Sequence, residues 1–254
     1  MTIPQSRPDL ASHVDPPVPP LQPLRALRAL NLLRLNPGDT AQVFTIIEAM
    51  SGQAPLRNLA RCRKHPAGRQ LLRDRPNILA HLSDRAALER LPRGSLAEAY
   101  LSFIDREGIS AGGLVEASVE GRLAKIARDS DLSYMRDRLR DSHDLWHAAT
   151  GYHGDVIGEA ALLAFSVAQL RNPGMAVIVL AALANLRAAE ASKLVTRAFR
   201  DGVRAAWFPV VPWEELLPLP LEQVRSTLRI TPARAYTLLR QPVAAPLQQA
   251  RKAS

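Results

Sequence analysis

The choice of apolar residues constrains this chain more than any motif in it. Almost half of its 254 residues are hydrophobic, yet only 5% are aromatic, so the interior must be built from Leu, Ala and Val. Ala and Leu lead the ranking of helix formers, whereas strands favour β-branched and aromatic side chains. No stretch keeps the strict apolar–polar alternation of a half-buried strand, and no segment repeats. The expected fold is all-α, a single compact multi-helix domain of a size that one core can fill.

Capping signals divide that domain. Residues 1–22 are Pro-rich and read as a disordered head, 241–254 as a short tail, and 23–240 as the helical unit. "DTAQ" at Asp39–Gln42 has the form of a capping box, opening a helix that stops near Gly52, and "SLAE" at Ser95–Glu98 opens another toward Asp105. Asp131 is expected to cap one helix over roughly Leu132–Thr150. Gly158 precedes a helix ending near "NPG" at 172–174, one helix runs from about Met175 to Arg200, and a short one spans Leu221–Arg229. "GMAVIVLAALANL", Gly174–Leu186, falls short of the ~20 apolar residues that span a bilayer and reads as a buried core helix, with an interfacial segment as the alternative. In "PLRALRALNLLRL", Pro23–Leu35, the leucines recur every three residues and drift around a helix that turns about 100° per residue. It reads as a core-packing helix with exposed arginines, with lipid contact as the alternative.

Several classes are disfavoured. One cysteine, Cys62, permits neither an internal disulfide nor a Cys-based zinc knuckle, which points to a reducing compartment. The first residues lack the pattern of a secretory or transit peptide. The formal charge is +9, and 29 of the 33 basic residues are arginine, a bias that follows genome composition. These charges are dispersed rather than clustered, and no finger or RNA-binding signature accompanies them, so the expected partner is an anionic membrane surface and not nucleic acid. Trp207 and Trp213 in "WFPVVPW" fit a membrane interface or a packed loop equally well.

The chemistry concentrates in "RDSHDLWHAATGYHGDVIGEAALLAF", residues 140–165. On a helix from Leu132, residues Leu132, Met135, Leu139, Trp146 and Thr150 share a face. His143 lies within that face, His147 one turn on, and Asp144 at its border. On the next helix Glu159 begins the stripe continued by Leu162, Leu163, Ser166 and Leu170. An ionised Glu against a core is costly unless paired or metal-bound. Two imidazoles and two carboxylates converging from adjacent helices resolve that cost if a divalent cation sits between them, and these donors suit zinc or a harder six-coordinate ion. Gly151, Gly154 and Gly158 let the connection turn tightly. His153 and Asp155 read as solvated turn residues, with a role as outer partners of the site as the alternative, and His13, His65 and His81 have no comparable neighbours. Taken singly, each of the four has an ordinary explanation: His pairs fill cores, and Glu159 suits a helix N-terminus.

The string His143-Asp144-x-x-His147, eleven residues, then Glu159 departs from the metalloprotease helix motif, which has Glu after the first His. Nor does it contain the paired Glu-x-x-His of di-metal bundles. It resembles the signature of the ubiquinone-biosynthesis family called coenzyme Q biosynthesis protein four. "NPGDTAQVFTIIEAMSG", "RDSHDLWH", "GEAALLAFSVAQ" and "PWEELLPLPLEQVRSTLRI" resemble its segments in its order, over roughly Leu24–Ile230. The resemblance implies a helical protein acting on polyprenylated ring intermediates. It also implies His143, Asp144, His147 and Glu159 as ligands of a divalent metal, usually zinc, which makes them catalytic through that metal.

The expected activity is metal-dependent C1 decarboxylation, with hydroxylation, of a polyprenylated 4-hydroxybenzoate-type ring. Zinc has no redox chemistry, so the oxidative outcome needs dioxygen or a redox-active metal. The alternative is a non-catalytic lipid-binding scaffold with a structural metal, organising the other ubiquinone-synthesis enzymes. A metal-dependent phosphohydrolase would need further His and Asp ligands that nothing in the sequence supplies. Expected partners are the prenylated precursor, the other pathway enzymes, an anionic membrane surface and a second copy of the chain. The helices over Gly158–Val203 are the candidate walls for a prenyl tail. The expected location is the bacterial cytoplasm, peripherally at the inner membrane.

Overall fold

A computed structural model describes residues 20–110, 130–185 and 189–233. The expected Pro-rich head, apart from its last three positions, and the expected tail lie outside the described residues. Among the described residues every regular element is helical, and an isolated bridge between Ser95 and Pro220 is the sole β pairing. The all-α expectation holds.

Fourteen α-helices are described: α1 Pro23–Leu35, α2 Thr40–Met50, α3 Ala54–Lys64, α4 Pro66–Asp74, α5 Ile78–Ser83, α6 Arg85–Glu89, α7 Leu96–Glu107, α8 Asp131–Asp141, α9 His143–Thr150, α10 Val156–Leu170, α11 Pro173–Asn185, α12 Ala189–Arg204, α13 Trp213–Leu216 and α14 Leu221–Leu228. A 3₁₀ turn at Phe208–Val210 precedes α13. The capping residues read from the sequence act as expected in α2 and α7. The Asp39 side chain accepts from the Gln42 N–H, and Ser95 Oγ accepts from the Glu98 N–H at 3.3 Å. Glu98 reaches back one residue further than a capping box requires, to the Gly94 N–H at 2.6 Å. Gly108 ends α7 in the left-handed conformation.

The largest core joins α5–α7, α9, α10 and α12–α14, with Tyr100, Leu145, Phe165 and Trp213 almost wholly enclosed. A smaller cluster unites α3, α4 and α8 around Leu59, Cys62 and Met135, and a third unites α1, α2 and α11 around Ala29, Ile46 and Ile178. The start of α7 is sealed by the distant segment before α14: the Leu96 and Ala97 N–H groups donate to the Leu219 and Leu217 carbonyls, and Leu221 N–H donates to Gly94. Helix starts leave such donors unsatisfied, and here the chain itself supplies the acceptors.

Four expectations are corrected. The helix expected over Leu132–Thr150 is two helices, broken at Ser142 (φ −88°, ψ 0°). Its cap is Ser130, which accepts from the Ser133 N–H, whereas Asp131 pairs with Arg63 and Arg75 at 3.0 and 2.9 Å. The cap is local and Asp131's charge is answered by two arginines, a preference no local rule foresees. The segment expected as one helix from Met175 to Arg200 is α11 and α12. α11 is not a buried core helix: Gly174 and Ile178 are buried, but Leu180 is 66% exposed. A run that is apolar all round has no polar face to turn outward, so whichever side lacks a neighbour stays exposed. α1 does pack on a core as expected, through Ala26, Ala29, Leu30 and Leu33, while Leu24, Leu27 and Leu35 stand mostly in solvent.

Candidate metal centre

The break at Ser142 sets up the site. It re-aims the chain so that α9 runs through the main core, buried from Asp144 to Thr150. Gly151 ends α9 at φ 82°, where a Cβ would be strained. Arg225 Nε then donates to the Ala149 carbonyl at 2.9 Å, a cation at the negative end of the helix. Four residues later Asp155, buried, caps α10 by accepting from the Gly158 N–H at 2.9 Å. Asp155 is thus the hinge of the return and not a solvated turn residue, and Gly158 lies inside α10. The signal was present as an Asp three residues before Gly158.

This short return brings His143, His147 and Glu159 together, with one donor atom of each within 4.8 Å of the others. The His147 side chain is wholly enclosed, and its ring stacks on Phe103 of α7 at 4.7 Å, nearly parallel. Its Nδ1 lies 3.0 Å from the Tyr152 carbonyl, and a carbonyl can only accept, so the proton of the neutral ring sits on Nδ1. Nε2 is left with a lone pair. It lies 3.3 Å from Glu159 Oε1, poorly aligned, and has no hydrogen-bond partner. A buried imidazole nitrogen whose tautomer is set by a carbonyl behind it is the usual form of a metal-ligating histidine.

His143 stands at the rim, 31% exposed, with Nε2 3.8 Å from Glu159 Oε2. Asp144, expected among the ligands, is buried and turned the other way: its Oδ1 lies 3.1 Å from His143 Nδ1. The geometry therefore assembles three of the four expected residues around one point and places the fourth behind one of them. Glu159 is not core-facing as expected but 48% exposed, so the site opens to one side. Sequence reasoning missed Phe103 and Tyr152, one acting by ring stacking and the other through its main chain.

The electrostatics favour a cation there. Burial raises the Glu159 carboxyl, but His147, by charge and hydrogen bond when its ring carries a second proton, and then the charge of His143 outweigh it and hold the carboxyl at about 2. Burial lowers His143, yet the hydrogen bond to Asp144 and the charges of Glu159 and Asp144 leave it raised. Two histidines and a carboxylate whose balance draws positive charge to one point suit a zinc-type N,N,O donor set.

One ion-pair knot ties α8 to α13. Arg138 on α8, buried, grips Glu214 on α13 at 2.7 and 2.8 Å and donates to the Val211 carbonyl at 3.0 Å. Trp213 and Trp207, open to two readings from sequence, are both buried: Trp213 packs on Phe208, and Trp207 Nε1 donates to the Gln169 carbonyl. They pack the loop.

A helical domain with an open His–His–Glu cluster between two successive helices defines a class, that of α-helical proteins with a candidate mononuclear metal centre. Within that class the chain belongs to the family described as Coenzyme Q (ubiquinone) biosynthesis protein Coq4, which it matches over residues 24–234. It is 33% identical over 171 residues to the Pyricularia oryzae protein named "Ubiquinone biosynthesis protein COQ4, mitochondrial", covering 66% of this chain and 54% of that one. To the Clavispora lusitaniae protein of the same name it is 29% identical over 202 residues, 77% of this chain and 60% of that one. The chain thus spans little more than half the length of the curated relatives it matches. A crystal structure of a Nostoc punctiforme protein assigned to ubiquinone biosynthesis shares the fold, with a TM-score of 0.58 and 21% identity over 82% of this chain and 98% of that one. The expected bacterial cytoplasmic location is overturned: the curated relatives are named as mitochondrial proteins, and arginine bias reflects genome composition rather than a compartment. Among the described residues no helix is long and apolar enough to cross a membrane.

Proposed function

We propose that this chain serves ubiquinone biosynthesis as a metal-dependent decarboxylase that releases the C1 carboxylate of a polyprenylated 4-hydroxybenzoate-type ring as carbon dioxide. Dioxygen is the oxidant that supplies the hydroxyl oxygen at that carbon, and an external two-electron donor reduces its second oxygen to water. The observation that carries the reading is the buried, partnerless Nε2 of His147, which faces His143 and Glu159 across an opening to solvent. A divalent cation bound there supplies Lewis acidity toward a ring oxygen or carboxylate. His147 contributes a lone pair held in place by the Tyr152 carbonyl and the Phe103 ring. Asp144 fixes the orientation of His143, and Glu159 closes the donor set from the exposed side. Three protein donors with an open flank are the arrangement of catalytic rather than structural zinc sites.

The exposed leucines of α1 and α11 favour a second reading, a lipid-binding scaffold for the other pathway enzymes in which the metal only holds shape. Metal content, circular dichroism and decarboxylation of a prenylated 4-hydroxybenzoate, measured on H147A and E159Q, separate the two. The enzyme reading expects loss of metal and at least a hundredfold loss of turnover with helicity kept. Turnover at the wild-type rate in metal-free, folded variants would falsify it.

A further inference from the structure

A cavity of about 420 Å³ opens at the far end of α10 from the metal centre. Glu159 and Arg171, which follows α10, are twelve positions apart, about 18 Å along a helix axis. The cavity lies where the end of α10 meets α3, α12 and the Trp207 turn. Val167, Phe199 and Val203 form an apolar wall, and Trp207 closes one side. The Arg61 guanidinium lies over the Trp207 ring, 4.1 Å from its centre, and Arg171 faces the same space from a left-handed position at φ 49°.

What this cavity lacks is an anion. Arg25, Arg63, Arg75, Arg85, Arg138 and Arg225 each hold a carboxylate. Among the described residues neither Arg61 nor Arg171 has such a partner. Burial, and after it the charge of Arg171, pulls the Arg61 guanidinium below its ordinary value, as expected of two like charges lining one recess. A guanidinium stacked on an indole is held with its donor edge free, a geometry that suits phosphate oxygens.

The surroundings are apolar and basic together. Phe199 and Val203 on α12 are 43% and 63% exposed, and Leu180 on α11, one turn beyond the cavity-lining Ala176, is 66% exposed. Arg200 and Arg204 stand exposed on α12 beside them. A site for a small free anion has no use for large exposed apolar side chains, whereas a bilayer surface offers hydrocarbon and phosphate side by side. The chain's net charge of +9 points the same way.

We propose that the cavity between Arg61 and Arg171 seats the phosphate headgroup of an acidic phospholipid, with Leu180, Phe199 and Val203 entering the membrane interface around it. The site is separate from the metal centre and does not depend on the chemistry proposed there. It anchors α10 at one end while the same helix carries Glu159 at the other.

The test is flotation of the full chain with phosphatidylcholine vesicles, with and without phosphatidylglycerol. Binding is expected only with the acidic lipid and should weaken with salt. At about 1 kcal/mol for each near-surface arginine, R61Q/R171Q should bind roughly thirtyfold more weakly. R90Q/R93Q removes the same charge at the α6–α7 turn, outside the cavity, and should bind within about threefold of wild type. F199S/V203S leaves the charge unchanged and should also bind several-fold more weakly. Circular dichroism checks each fold, and if R61Q/R171Q unfolds, F199S/V203S, altered at exposed positions, decides. Equal losses in the two arginine variants would mean attraction by net charge alone and overturn the proposal. So would full binding by F199S/V203S, or calorimetric binding of inorganic phosphate that needs Arg61 and Arg171 while acidic vesicles are ignored.

Discussion

His147 and Asp144 are three positions apart on one helix and do different work. His147 offers a bare nitrogen, while Asp144 is spent on His143. Loss of a group that orients a ligand typically weakens metal binding 10–100-fold, less than loss of a ligand itself. D144N should therefore lower metal affinity by about that factor and keep a measurable site, whereas H147A should lose the metal altogether; equilibrium titration against a chelator distinguishes them. Of the four expected residues, the types and the meeting of His143, His147 and Glu159 were legible in the sequence. The division of labour was not, because it depends on side-chain direction across a helix break that spacing does not reveal. Cys62 gives a second residue-scale prediction. It is wholly buried beside Met135, and burial, followed by the Asp131 charge, pushes its thiol up to about 11. Alkylation at pH 8 should be negligible in the native chain and complete in urea.

Between elements, α10 and α12 approach closely at Gly202. A Cβ there would lie 2.6 Å from the Phe165 carbonyl oxygen and 3.0 Å from the Ala168 Cβ, so the helices would have to part. G202A should destabilise by about 1–3 kcal/mol, read as a lower urea midpoint. The Arg138–Glu214 pair offers a sharper contrast. E214A strands a buried guanidinium and should cost about 3–5 kcal/mol, whereas R138M/E214L removes both charges and should cost far less. Chemical denaturation of both variants checks it; equal losses would show that the pair adds net stability. Element existence was readable wherever a cap and a periodic face coincided, as in α2 and α7. Boundaries failed where the decision was tertiary. Ser142 breaks a continuous apolar pattern, and Asp131 goes to two arginines from other helices instead of capping its own.

For the whole molecule, acid should act through the depressed carboxyls. Burial raises Glu214, but the Arg138 hydrogen bonds and charge outweigh it; burial likewise raises Asp131, outweighed by Arg75 and Arg63. A carboxyl lowered in the folded state contributes stability above its unfolded value, 4.5 for Glu214 and 3.8 for Asp131, and that contribution is lost as pH falls through the folded value. Asp141 and Asp201, raised mainly by burial, act with the opposite sign and blunt the onset. The urea midpoint should fall steeply below about pH 4.5, and the gap between wild type and E214A should narrow over the same range.

At this scale the apolar composition alone determined an all-helical domain, because Ala and Leu favour helix whatever surrounds them. The spacing of His143, His147 and Glu159 likewise pointed to their meeting at one place, because helical periodicity is local. Which faces stay exposed is a different matter. α1 and α11 look like core in sequence, yet Leu24, Leu27, Leu35 and Leu180 stand mostly in solvent, since burial is decided by which neighbour arrives and not by a helix's own residues. The Arg61–Arg171 cavity could not be read from the chain for the same reason. Those arginines are 110 positions apart, and only the packing of α3 against the end of α10 sets them facing one another.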